Sequence, residues 1–209
     1  MQTIETVPAE RPAPEAQLLL QEFSHRINNE FASAIGVVSV AAARSVNGEA
    51  RATLVAVRDQ LHHYAQVHHA LQMPEQNNSV DAAAYLARLC LAISRSKLHS
   101  RGIELLFVEG KFRMDAERCW RLGLIVSELI TNSVRHALRD GGGIIRVELL
   151  PASSFVECRV SDNGKCDAGV RPGRGLRIIE ALARSLSGTI DIDFGLQGTT
   201  AVLMLPLRS

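Results

Sequence analysis

The stretch DNGKCDAGVRPGRGL, from Asp162 to Leu176, decides the fold. It follows a strand-like run, Phe155 to Val160, and opens a helical pattern from about Gly175 to Ser187. A glycine-rich connection between a strand and a helix start presents backbone amides that can bind phosphate oxygens. The DNG triplet alone is most often a turn, and a lone GxG is a weak signal. In this order and setting, they predict a phosphate-binding loop.

The segments on either side of this loop predict one α+β domain over residues 79–209. Helical patterns cover Asp81 to about Leu98 and Asp115 to about Leu138, and Asp140–Gly143 closes the second. The strand patterns are Ile103–Phe107, Ile145–Leu150, Phe155–Val160, Thr189–Phe194 and Thr200–Leu205. Because helices are mixed with hairpin-connected strands, we expect one mixed sheet with helices on a single face.

The N-terminal third predicts a helical hairpin, residues 15–78, after a disordered tail, residues 1–14. One helical pattern runs from Glu15 to about Val46 and ends at Asn47-Gly48. A second runs from about Glu49 to Gln72 and stops at Met73-Pro74, with a polar linker at 75–79. Two long helices joined by a tight turn pack as an antiparallel pair.

The first helix carries an apolar seam with steps of three and four residues. Its members are Leu20, Phe23, Ile27, Phe31, Ala34, Val38 and Ala41. This spacing is that of a heptad-like packing stripe. One hairpin covers such a stripe only in part, whereas two hairpins from two chains cover it as a four-helix bundle. The pattern therefore favours a homodimer.

His25 lies on the opposite side of the first helix from this seam. At about 100° per residue it is roughly 140–150° from the stripe, so it must face outward. Glu22 and Asn29, about one turn away on each side, share its polar face and could orient the ring or accept its proton. An exposed, largely neutral imidazole is a competent nucleophile toward a γ-phosphate. The alternative is a solvated histidine with no role.

The helix from Asp115 offers a second polar face, formed by Glu128, Asn132 and Arg135. The amide oxygen of Asn132 is a hard ligand suited to Mg²⁺ bound to phosphates. The guanidinium of Arg135 could reach phosphate oxygens. Without further support, this face would be read as a solvated helix surface.

The support comes from the loop and from the last strand. The carboxylate of Asp162 can accept a hydrogen bond from an adenine amino group, and Gly164 lets the backbone come close to the ring. Gly173, Gly175 and Leu176 open the following helix, where phosphates would bind. The hydroxyl of Thr199 could complete the adenine contact. These residues together predict a nucleotide site.

Composition excludes several other classes of function. The 209 residues include 23 basic and 22 acidic side chains, so no net field favours nucleic acid or an anionic membrane. The four cysteines lack CxxC spacing, which favours reduced thiols over zinc or disulfides. The N-terminus does not resemble a signal peptide. Its longest mainly apolar stretch, Phe31–Ala43, is too short to span a bilayer. We expect a cytoplasmic protein without a membrane span.

The motifs together resemble those of two-component histidine kinases of the HWE and HisKA-like group, within the GHKL ATPase superfamily. SHRINN, Ser24–Asn29, is similar to the H box, which implies that His25 is the phosphoacceptor. ELITNSVRHA, Glu128–Ala137, is similar to the N box, and DNG, GRGL and Gly198-Thr199 to the glycine boxes. The resemblance implies a phosphotransfer hairpin followed by a Bergerat-type α/β sandwich that binds ATP.

This family implies ATP with Mg²⁺ as cofactors. Together with the helix faces described above, the motifs make His25, Glu22, Asn29 and Glu128 the candidate catalytic residues. It also implies autophosphorylation followed by transfer to an aspartate on a response-regulator receiver domain. The sequence contains no sensor domain, which predicts a separate sensory partner. Cys166 stands where the family pattern DxGxG has glycine, and the stretch to Pro172 is short for an ATP lid. A histidine phosphotransferase relay with a degenerate nucleotide site is therefore the alternative.

Overall fold

The computed structural model describes residues 14–74, 79–165, 174–195 and 197–207. Most of the expected tail, most of the expected linker, the lid segment with Cys166 and the loop glycine Gly173 lie outside these ranges. Among the described residues, no helix is both long enough and apolar enough to cross a membrane.

The N-terminal part is the predicted helical hairpin. Helix α1 spans Pro14–Arg44 and α2 spans Gly48–Ala70. The chain leaves α1 through Ser45, whose amide donates to the carbonyl of Ala41 at 3.1 Å. Asn47 then begins α2, because its Oδ1 accepts from the amide of Ala50 at 3.0 Å. The Asn-Gly pair thus ends one helix and caps the next.

The C-terminal part is the predicted mixed sheet with helices on one face. Its strands are β1 (Ser79–Asp81), β2 (Ile103–Val108), β3 (Arg113–Asp115), β4 (Gly143–Pro151), β5 (Phe155–Asp162), β6 (Thr189–Gly195) and β7 (Gly198–Pro206). The main sheet has the order β2-β4-β5-β7-β6, with β2 and β4 parallel and the other neighbours antiparallel. The short pair β1–β3, which sequence patterns missed, forms a second sheet.

Helices α3 (Ala82–Ile93), α4 (Ala116–Asn132) and α5 (Arg174–Ser185) cover the main sheet. Asp81 caps α3 by accepting from the amide of Ala84 at 3.0 Å. Asp115 caps α4 by accepting from the amides of Glu117 and Arg118. Both aspartates therefore satisfy amide groups that a helix start leaves unpaired.

Two helices end in a π-helical turn rather than continuing as α-helix. Residues Ser94–Leu98 follow α3, and Ser133–Ala137 follow α4. The sequence predicted ordinary helix through Leu98 and Leu138, since a change of pitch leaves the apolar spacing almost intact. Such widened turns occur often at functional sites. The second one directly follows Asn132, a candidate site residue.

The core lies between the three helices and one face of the sheet. Alternate residues of β5, namely Val156, Cys158 and Val160, are buried against it. Burial raises the pKa of the thiols of Cys90, Cys119 and Cys158 to about 12. These cysteines are free, and their thiols are protonated at neutral pH.

The chain divides into two compact units between Arg58 and Asp59, within α2. The second half of α2 belongs to the unit that holds the sheet. There, Nε2 of Gln60 donates to the carbonyl of Ser96 at 3.0 Å. Nε1 of Trp120 donates to the carbonyl of Leu71 at 2.8 Å. These contacts show that the end of α2 packs with the sheet unit. The boundary between the hairpin and the ATP-binding domain at residues 78 and 79 stays a prediction from the motifs.

Candidate functional site

His25 is exposed on α1, as its angular position predicts. Glu22 and Asn29 are exposed as well. The carboxylate of Glu22 accepts from Nε of Arg26 at 3.0 Å, in an ion pair whose two side chains are mostly in solvent. Such a pair contributes little to stability, so Glu22 can exchange partners readily. His25 thus has free access to a reactant, and the roles of its neighbours stay predictions.

The nucleotide site begins at Asp162, the last residue of β5. Its side chain is buried, with 8% of the residue exposed. Oδ1 accepts from the amide of Gly164 at 3.0 Å and from the amide of Thr199 at 3.2 Å. Oδ2 is buried and has no hydrogen-bond partner among the described residues. One oxygen therefore fixes the carboxylate in place, and the other is an acceptor left for a ligand.

Gly164 has a neighbour that the sequence did not predict. A Cβ atom at this position would overlap the carbonyl of Ala137, at the end of the π-helical turn after α4. The next amide, that of Lys165, donates to the same carbonyl at 3.1 Å. The glycine is thus required for the close approach of the loop to the N-box segment, whereas its approach to an adenine ring stays a prediction.

Asn163 ties the same loop to the sheet, a role for which the DNG triplet alone gave no signal beyond a turn. Its Oδ1 accepts from the amide of Ile144 at 2.7 Å, and its own amide donates to the carbonyl of Ile144 at 3.2 Å.

The start of β7 also comes close to Asp162. Gly198 begins this strand with φ of 136°, and a Cβ there would overlap the carbonyl of Asp162. Thr199 is half-buried and contacts Asp162 through its backbone amide.

A second group of predicted residues meets where α4 faces the start of α5. A Cβ atom at Gly175 would overlap Oε1 of Glu128 and would lie 3.6 Å from Nδ2 of Asn132. The first turn of α5 is therefore close to two polar side chains of the N box. Leu176 is half-buried beside this contact, and Arg135 is exposed on the π-helical turn. The fold brings Glu128, Asn132 and Gly175 together, and their roles stay predictions.

This arrangement can bind an adenine nucleotide and its phosphates. The free Oδ2 of Asp162 can accept from an exocyclic amino group, and the amides at the start of α5 can donate to phosphate oxygens. Oxygen atoms of Asn132 and Glu128 are hard donors of the type that Mg²⁺ prefers. Among the residues that the structure describes, no group of three or more His, Cys, Asp or Glu could hold a metal by itself. A metal here would need phosphate oxygens as further ligands.

Comparisons with known proteins agree with this geometry. One family model, described as "Histidine kinase", matches residues 22–97, and another, described as "Histidine kinase-like ATPase domain", matches residues 104–203. The first contains His25, and the second contains every proposed nucleotide-binding residue. The chain belongs to the histidine kinases of the HWE and HisKA-like type, with an ATP-binding GHKL domain.

A curated relative is the blue-light-activated histidine kinase 2 of Erythrobacter litoralis. It is 24% identical over an alignment of 214 positions, which covers 93% of this chain and 59% of the relative. The chain thus spans little more than half of that protein's length.

Two solved structures share the fold. The histidine kinase domain from the Erythrobacter litoralis EL346 blue-light-activated kinase aligns with a TM-score of 0.59 and 23% identity. The alignment covers 86% of this chain and 96% of that one. A structure described as a bacterial phosphotransferase aligns with a TM-score of 0.62 and 12% identity, covering 95% and 100%. The fold by itself is therefore common to proteins described as kinase and as phosphotransferase.

Proposed function

We propose that this chain is an ATP-dependent protein histidine kinase. It phosphorylates His25 and passes the phosphoryl group to an aspartate of a response-regulator receiver domain. The observation that carries the proposal is the buried, unpartnered Oδ2 of Asp162. A buried carboxylate oxygen without a donor is unfavourable by about 1–3 kcal/mol, and a ligand amino group removes that penalty.

The adenine end of ATP binds at the loop after β5. Asp162 accepts from the exocyclic amino group, and the two backbone amides on Oδ1 keep the carboxylate from turning away. Because Thr199 contributes one of those amides, β7 and the loop at Gly164 both hold this carboxylate. This rigidity favours binding, since little side-chain freedom remains to be lost.

The phosphate end lies toward Asn132 and the first turn of α5. The amides near Gly175 donate to phosphate oxygens, and Arg135 is free in solvent to reach them. Bound Mg²⁺ would offset the negative charge of the phosphates, with the amide oxygen of Asn132 as a protein ligand. Glu128, whose Oε1 lies close to Gly175, is the candidate catalytic residue at this end of the site.

At His25, one neutral ring nitrogen attacks the γ-phosphorus of ATP. A nitrogen–phosphorus bond forms as the bond from phosphorus to the β,γ-bridging oxygen breaks, and ADP leaves with that electron pair. The proton on the other ring nitrogen passes to a base, for which Glu22 is the candidate and Asn29 orients the ring. In the second step, an aspartate oxygen of the regulator attacks phosphorus and the imidazole leaves.

The active form is a homodimer through the hairpin. In a single chain, Leu19 is 65% exposed and Phe23 is 62% exposed. Side chains of this size contribute about 1.5–3 kcal/mol each when they become fully buried. A second hairpin that covers them would complete a four-helix bundle.

The test is incubation with γ-labelled ATP and Mg²⁺, followed by a search for acid-labile, base-stable label. We expect label on the wild type and an Asp162→Asn variant with at least about tenfold weaker ATP binding, which is about 1.4 kcal/mol. The substitution keeps the shape of the side chain but removes its charge and one acceptor. An Asp193→Asn variant, changed at an exposed position on β6, is the matched control. Absence of ATP binding by the wild type at millimolar nucleotide would reject the kinase.

The second candidate is a phosphotransferase relay, favoured by the fold shared with a protein described as a bacterial phosphotransferase. Both functions use His25, but the phosphoryl donor differs. A kinase is labelled by ATP alone, whereas a relay is labelled only when a phosphorylated regulator is supplied. A cytoplasmic location and a separate sensory partner stay predictions of the sequence.

A further inference from the structure

Arg101 lies at the end of the short 3₁₀ turn His99–Arg101, before β2, outside all the motifs. Its side chain crosses to the C-terminal end of the N-box segment. NH2 donates to the carbonyl of Leu138 at 3.1 Å and to that of Arg139 at 2.7 Å. NH1 is 3.5 Å from the carbonyl of Val134. The carbonyl of Arg101 in turn accepts from the amide of Gly142 at 2.8 Å.

These contacts surround the π-helical turn Ser133–Ala137. The last carbonyls of a helix have no partner within the helix and carry partial negative charge, so a guanidinium satisfies them in both respects. Arg101 thus reinforces an end that is also held locally, since the amide of Leu138 donates to the carbonyl of Ser133 at 2.9 Å and the amide of Gly141 to that of Leu138 at 3.2 Å. Between the carbonyls of Val134 and Leu138 lies that of Ala137, which faces the nucleotide loop.

Ala137 connects the segment bound by Arg101 to the candidate ATP site. Its carbonyl accepts from the amide of Lys165 at 3.1 Å, and its backbone touches Gly164 so closely that no side chain fits there. The amide of Gly164 donates to Oδ1 of Asp162. A shift of Ala137 would consequently move the amide that holds the adenine-binding carboxylate.

We propose that Arg101 is a positioning residue for the nucleotide site, acting through the π-helical turn and the loop at Gly164. The proposal rests on the assignment of that loop to ATP. Without the guanidinium, the carbonyl of Arg139 loses this donor, and the carbonyl of Leu138 keeps only the amide of Gly141, at 3.2 Å. The end of the turn is then held less firmly. Asp162 then keeps its place in β5 but loses the fixed position of one supporting amide.

A purely structural role predicts a different outcome, so the test includes a matched arginine. Arg118, near the opposite end of α4, also donates from NH2 to a backbone carbonyl, that of Pro206, at 2.6 Å. Arg118→Ala and Arg101→Ala both remove an arginine that bonds to backbone carbonyls. Only the second lies beside the nucleotide loop.

The experiment measures three quantities on the full chain. They are the dissociation constant for a fluorescent ADP analogue, the hydrogen-exchange rate at the amide of Lys165, and the thermal unfolding midpoint. We expect Arg101→Ala to weaken nucleotide binding by about tenfold or more and to speed exchange at Lys165. Arg118→Ala should lower the unfolding midpoint while affinity and exchange stay near wild type. Arg101→Lys, which keeps one cationic donor, should fall between.

Unchanged exchange at Lys165 in Arg101→Ala would overturn the inference even if ATP binds well. Equal losses of affinity in the two alanine variants would also overturn it, because the effect would then follow stability alone. If the wild type binds no nucleotide, the proposed function fails separately. Faster exchange at Lys165 in Arg101→Ala alone would then still support the positioning of the loop.

Discussion

The hairpin and the sheet unit bury their apolar residues to very different extents. In the sheet unit, large side chains such as Leu122, Ile125 and Leu203 are fully buried. In α1, Phe23 and Val37 are 62% and 68% exposed. A lone helix pair has too little surface to cover its own seam, whereas a sheet with three helices encloses a core. The difference supports the proposed homodimer, in which a second hairpin would cover the exposed apolar side chains of α1.

The two regions also divide the chemistry. In the proposed function, the hairpin presents the exposed imidazole of His25, and the sheet unit presents the buried carboxylate of Asp162, held by two amides. A nucleophile must reach its target, while a recognition group must stay in place. The predictions below test this division from the largest expected effect to the smallest.

His25→Ala should abolish labelling from ATP while leaving ATP affinity and dimer formation near wild type. The side chain is exposed and contributes to neither core, so only the chemistry is lost. Radiolabelling, nucleotide titration and sedimentation measure the three properties. His68→Ala is the control, since it should lower stability and keep the label. Phosphate mapped to another histidine would contradict the assignment.

A buried charge should separate the two regions by stability. Val126→Asp, at a fully buried position of α4, should destabilise the sheet unit by about 4 kcal/mol or more, because the carboxylate finds no partner there. Phe23→Asp should leave the unfolding of the sheet unit unchanged but shift dimers to monomers. Chemical denaturation and sedimentation distinguish these outcomes. A Phe23→Asp protein that remains dimeric would place the interface elsewhere.

Adding one methyl group should have opposite signs in the two regions. Gly164→Ala introduces a Cβ that overlaps the backbone of Ala137, and we expect a loss of about 1–3 kcal/mol together with weaker ATP binding. Gly36→Ala, on α1, meets nothing within 4 Å. It should stabilise the helix by about 0.5–1 kcal/mol. Thermal unfolding of both variants checks the signs, and a stabilised Gly164→Ala would refute the close approach.

The smallest effect concerns pH. Burial, followed by the nearby His69, lowers the pKa of His68 below its usual 6.5. The unfolded chain therefore binds this proton more readily than the folded chain. The contribution of His68 to the free energy of unfolding is fully present above pH 6.5, and it is lost as pH falls below that value. His68→Ala should show a shallower decline between about pH 7 and pH 5 in denaturant unfolding. An unchanged slope would mean that His68 contributes nothing to it.

Several features were predictable because short-range chemistry sets them. Asp81 and Asp115 were expected at helix starts, and each accepts from backbone amides there. The DNG triplet predicted a loop at Asp162, but not the bonds that its carboxylate accepts from the amides of Gly164 and Thr199. The π-helical turns were not predictable, since their residues have the spacing of an ordinary helix end. The β1–β3 pair was missed because three-residue strands give too little alternation to detect.

The sequence by itself determined the two-part organisation, the mixed sheet and the family of the protein. Periodicity and motif chemistry depend on residues that are close in sequence, so they can be recognised without knowing how distant segments pack. Only the tertiary structure decided why Gly164 must be glycine, that Asn163 bonds to Ile144, and that Arg101 closes the N-box segment. These contacts join residues roughly 20–40 positions apart in the chain. The spacing of residue types does not predict which distant backbone segment packs against a given side chain.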